Sequence, residues 1–185
     1  METKENYELI KRTGQTTTEK GLQWFDELEP VNLDFMLGRW QGCGLRTNHP
    51  MDGFLEVSSW YGKEFVNSET VHPLLFLDNN QNIFKVAPNA TAMNWVLKMP
   101  WLKNDSFKPL FMLINGLMKT EVSQARLRMM EYRGKVTATM VYDYLPINDS
   151  FRKIDENTVL GIMDYKSYPQ PFFFILERKT EFELT

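Results

Sequence analysis

The sequence predicts a mainly β fold, an antiparallel barrel or sandwich of short strands with a helix before it and a helix inserted in it. Three observations carry this. From residue 53 onward most apolar residues alternate with polar ones, in short runs bounded by turn residues. Several runs are joined by tight turns such as Arg133-Gly134, which makes their partners antiparallel. Only two stretches step instead at three and four residues, the spacing of an amphipathic helix.

Taken in order, residues 1–15 form a loose polar arm, and residues 16–185 form one β domain. Thr16 and Glu19 have capping-box spacing, Leu22, Phe25 and Leu28 follow at helical intervals, and Pro30 comes after them. A short helix over about 17–28 is expected. Next, Gly38, Trp40, Gly42 and Gly44 fall at every second position, so in a strand they share one face. A glycine-rich face with one Trp suits a strand that bends strongly or is closely approached. Strands are expected at 53–60, 63–69, 72–77, 82–87 and 92–98. Phe107, Leu110, Phe111, Leu113, Ile114, Leu117 and Met118 then mark the inserted helix, about 106–119, a candidate cap or lid for one end of a barrel. Residues 122–132 and 135–144 form one hairpin, 150–154 and 158–164 a second, and 172–178 close the ordered part.

Composition narrows the function classes. Lys plus Arg is 21 and Asp plus Glu is 24, a net charge of −3, so no basic face for a nucleic acid is expected. Cys43 is alone, which excludes an intramolecular disulfide and a Cys/His zinc cluster. Met1 to Gly14 has no apolar run, and no stretch approaches the length of a membrane span, so no membrane integration and a cytoplasmic setting are expected. The 13 Phe, 7 Tyr and 5 Trp beside 11 Met suit a large core, or a cavity that accepts a greasy ligand.

Gly38-Arg-Trp40-Gln-Gly42 spells G-x-W-x-G. Downstream stand P-I-x-D-x-F-R at Pro146 to Arg152, T-V-L-G-x-M-D at Thr158 to Asp164, and F-F-x-x-E-R at Phe173 to Arg178. With these motifs the chain resembles the uncharacterised proteins that join an N-terminal GXWXG domain to a C-terminal domain of unknown function. The resemblance spans roughly residues 22–178. It implies a single calycin-like β-barrel of about 8–10 strands, similar in outline to lipocalins and fatty-acid-binding proteins. The GXWXG half falls at about 22–88 and the C-terminal half at about 120–180, as parts of one barrel. It implies no settled activity.

The leading functional expectation is binding of a small hydrophobic molecule, fatty-acid or lipid-like, inside the barrel, without a cofactor. Trp60, Met129, Met140, Tyr142 and Met163 are candidate contacts, and Trp40 reads more plainly as a core plug. Tyr142, Asp149 and Arg152 are candidates to orient a polar head group, since Arg holds carboxylates well. The alternative is an isomerase or lyase that uses Asp143, Asp149 or Asp164 as acid–base groups at the barrel rim. A second alternative is a haem protein with His72 as axial ligand, because the small haem-binding barrels called nitrobindins also begin with a Gly-x-Trp strand. Exposed edge strands at any gap in the barrel could pair two copies into a homodimer.

Overall fold

The computed structural model describes residue 10, residues 13–89, 91, 94, 98 and 99, and residues 104–179. The arm expected at 1–15 and the strand expected at 92–98 lie largely outside the described residues. The Thr17 hydroxyl accepts a hydrogen bond from the Lys20 amide and caps α1 (Thr18–Glu27), one position after the expected cap. Next come β1 (Glu29–Pro30), α2 (Leu33–Met36) and β2 (Gly38–Leu45). They are followed by α3 (Phe54–Val57), β3 (Trp60–Phe65), β4 (Val71–Leu77) and β5 (Ile83–Lys85). A 3-10 turn at Asp105–Phe107 leads into α4 (Lys108–Leu117), and β6 (Ala125–Tyr132), β7 (Lys135–Tyr142), β8 (Ile147–Asp155), β9 (Thr158–Tyr165) and β10 (Tyr168–Lys179) complete the chain.

Eight of these strands form a closed antiparallel ring in the order β8-β7-β6-β4-β3-β2-β10-β9, and β9 pairs back onto β8. The remaining two strands repair weak points. β1 lies beside β8, and Val31 bridges to β7 through the Ala138 amide and the Thr137 hydroxyl. β4 meets β6 only at Val71 and Ala125, and β5 extends the wall beyond that point.

The alternation expected along β2 is present. Trp40 is fully buried, its indole N–H donates to the Met36 carbonyl, and the Arg178 guanidinium lies 4.2 Å over its ring. One apolar cluster fills the barrel, with Trp40, Phe65, Met140, Phe151, Phe174 and Leu176 among its members. A second lies outside the wall, where Trp24, Phe25 and Leu28 of α1 and its end cover Leu160, Ile162 and Phe173. These strands are therefore buried on both faces, and α1 is held by packing more than by its own ten residues.

The segment 53–60 departs from expectation. Gly53 has φ 84° and begins α3, and only Trp60 starts a strand. Phe54 and Leu55 of this turn both pack against the core, and four residues are too few for an apolar period to separate a helical turn from a strand. The inserted helix is where the spacing put it. Phe111 of α4 packs edge-on against Phe54 of α3 at 5.2 Å, while Leu113 and Leu117 face outward.

Candidate functional site

A bulge in β3 builds the site. Trp60 pairs with Phe76, Gly62 with Leu75 and Glu64 with His72, so the ladder slips on both sides of Gly62, first by an extra residue on β3 and then by one on β4. Gly62 has φ 151°, and a Cβ there would come 1.9 Å from the Trp40 carbonyl oxygen. Only glycine fits so close an approach. The slip turns both Trp60 and Lys63 inward, three residues apart, where simple alternation would send them to opposite faces.

Space for the aromatic rings comes from two further glycines. A Cβ on Gly42 would lie 2.2 Å from the Trp60 ring, and one on Gly161 would lie 2.3 Å from the Phe174 ring. Trp60 and Phe174 meet edge-to-face at 6.1 Å, and Phe174 continues to Phe151 at 6.3 Å. Beside this stack is a cavity of about 90 Å³. Its walls are mostly apolar: Met51, Phe54 and Leu55 from around α3, Leu74 and Phe76 from β4, Met163 from β9, and Phe172 and Phe174 from β10. Ser58, Trp60, Lys63, Tyr142 and Asp149 are its polar lining residues.

Lys63 and Asp149 form an ion pair at 2.8 Å, with side chains only 4% and 1% exposed. The Lys63 ammonium also donates to the Pro73 carbonyl at 3.3 Å, and it lies 5.0 to 5.8 Å from the ring centres of Trp60, Tyr142 and Phe174. Burial pushes the Asp149 carboxyl upward against the opposing charge and hydrogen bond of Lys63. Burial, reinforced by the Asp149 charge, pushes the Tyr142 phenol well upward, so it stays protonated. Asp149 Oδ1 and Trp60 Nε1 are buried and meet no hydrogen-bond partner among the described residues. A buried polar atom without a partner costs about 1–3 kcal/mol. Withdrawing two charges from water costs several kcal/mol per ion, so packing stability alone does not explain this pair.

The other candidates from the sequence are dispersed. Trp60, Tyr142, Asp149 and Met163 line the cavity, while Met140 is buried in the core without lining it. Met129 is 44% exposed on β6. Asp143 is tied to Arg126 at the surface, and Asp164 is exposed, so the three aspartates do not converge. Arg152 lies three residues from Asp149 on the opposite face of β8. It stacks on Phe25 at 4.7 Å beneath α1 and donates to the Tyr132 carbonyl. His72 stands opposite Glu64, whose carboxylate binds Arg39 on the outer wall, and it does not line the cavity. Lys63, central to the site, reads in the sequence as an ordinary strand lysine. The one local signal is the glycine before it.

Comparison with known families decides the relationship. Residues 23–80 match the model of the GXWXG protein domain, and residues 123–178 match that of DUF4334, a domain of unknown function. The chain belongs to the proteins that join these two domains. In this GXWXG–DUF4334 protein the first match supplies β2, β3 and β4, the second supplies β6 to nearly all of β10, and the ring needs both. Lys63 comes from the first and Asp149 from the second. The crystal structure of a protein from Thermomonospora curvata is similar over 97% of this chain and 100% of that one, with a TM-score of 0.72 and 28% identity. No curated protein matches the chain. Among the described residues, no helix is long and apolar enough to cross a membrane.

Proposed function

We propose that this GXWXG–DUF4334 protein binds a compact, mainly apolar molecule inside its barrel, with the polar end of the ligand against Asp149, Lys63 and Trp60. The carrying observation is the apolar cavity bounded by a buried ion pair, with an acceptor, Asp149 Oδ1, and a donor, Trp60 Nε1, that are unpartnered among the described residues. A ligand with a hydroxyl or carbonyl group would satisfy such atoms, and removal of its apolar part from water would supply affinity at roughly 25 cal/mol per Å². Sites for drug-sized ligands run to about 300–1,000 Å³. The 90 Å³ here favours a short or cyclic molecule over an extended fatty-acid chain. The reading places this binding in the cytoplasm, in keeping with the single cysteine.

Titration of the full chain with cyclohexanol, followed by tryptophan fluorescence and thermal unfolding, tests this reading. A saturable fluorescence change is expected, with about 2.7 kcal/mol of added stability at a hundredfold excess over Kd. Both effects should vanish in Leu74→Trp, which fills the cavity. Palmitate serves as the comparison ligand. If no compact alcohol or ketone shifts either signal, and solvent extracts of the purified protein carry no small molecule, the reading is wrong.

A second reading makes Asp149 a general base for an isomerase or lyase. It is favoured over Asp143 and Asp164 because Asp149 alone of the three lines the cavity.

A further inference from the structure

We infer that Lys63 is a nucleophile that forms an imine with a small apolar aldehyde or ketone held in the cavity. This rests on the binding reading and adds a reaction to it. Lys63 is the one buried lysine among the described residues. Its amine lies among the rings of Trp60, Tyr142 and Phe174 rather than in water, the setting in which a lysine becomes a useful nucleophile. Asp149 is within hydrogen-bond distance to take its proton, and the second carboxyl oxygen, Oδ1, has no partner among the described residues and can serve the substrate.

The steps balance. The Lys63 ammonium gives one proton to Asp149 and becomes an amine. Its lone pair forms a C–N bond to the carbonyl carbon, and the C=O π pair moves to oxygen. A second amine proton moves to that oxygen, giving a neutral carbinolamine. Protonated Asp149 then returns its proton to the hydroxyl, the C–O bond breaks, and water leaves. The product is an iminium ion on Lys63 paired with the Asp149 carboxylate, so the charge of the pair is unchanged. No oxidant, reductant or cofactor is needed. Tyr142 also lines the cavity, with Lys63 Nζ 5.8 Å from its ring centre.

Incubation of the full chain with butanal and sodium cyanoborohydride reduces any imine to a stable amine, which peptide mapping locates. The expected result is one equivalent on Lys63, formed about tenfold faster than on any exposed lysine, as an activated amine requires. Lys63→Arg keeps the positive charge and should lose that adduct alone. Asp149→Asn should slow it about 100-fold, the low end of what a positioned acid–base group contributes. A lysine kept only for its ion pair would react more slowly than the exposed ones. Labelling confined to exposed lysines, with butanal still giving a saturable tryptophan signal, overturns the imine and leaves the binding reading intact. Absence of both the adduct and the signal overturns both. The wild-type mapping needs no variant, so it decides even if Asp149→Asn does not fold.

Discussion

Lys63 and Asp149 are each costly where they are, and only their contact makes them tolerable. Lys63→Met leaves an unpaired carboxyl in an apolar cavity, and breaking a pair of this kind costs about 3–5 kcal/mol. The double variant Lys63→Met with Asp149→Leu should recover most of that loss, which urea unfolding measures directly. Full recovery of stability with loss of ligand binding would assign the pair to function. His72 gives a prediction in pH. Burial, then the Lys85 charge, hold its folded imidazole below the ordinary value of 6.5, against the opposing pull of Glu64 and Glu121. The folded state therefore binds this proton less readily than the unfolded chain does. Stability is complete above 6.5 and declines as pH falls from there through the folded value. Thermal unfolding between about pH 7 and pH 5 should show this decline, weakened in His72→Gln. At this scale the sequence was only half readable. Asp149 stands out in a dense charged motif, whereas Lys63 turns inward only because of a backbone slip beside it.

The bulge at Gly62 and the glycines facing Trp60 and Phe174 make β2, β3 and β9 the elements that shape the cavity. Gly42→Ala would drive a methyl group into the Trp60 ring. The loss of stability expected from such overpacking is about 1–3 kcal/mol, and displacement of the indole should move its fluorescence emission. An unchanged spectrum and an unchanged midpoint would contradict the placement of Trp60 over Gly42. The glycine-and-Trp face of β2 was legible from period two alone. α3 was not, because four residues with apolar positions at Phe54, Leu55 and Val57 are too few for a period to separate helix from strand. β1 was not either, since two residues carry no period and owe their place to Val31 bridging β7.

At the scale of the molecule, two family domains share one ring of hydrogen bonds and one interior. Neither has strands enough to close, so the full chain should unfold in a single cooperative transition by calorimetry. A fragment ending near residue 88 should show no such transition. The fold class was legible because alternation and tight turns are local. Ring closure was not, because the pairings of β10 with β2 and of β4 with β6 join strands far apart in the sequence. The most direct measurement of the central claim is a crystal structure of the full chain soaked with cyclohexanol. Electron density is expected between Phe76 and Phe174, with the hydroxyl at hydrogen-bond distance from Asp149 Oδ1 or Trp60 Nε1. A dry interior collapsed onto the Lys63–Asp149 pair at saturating ligand would contradict it.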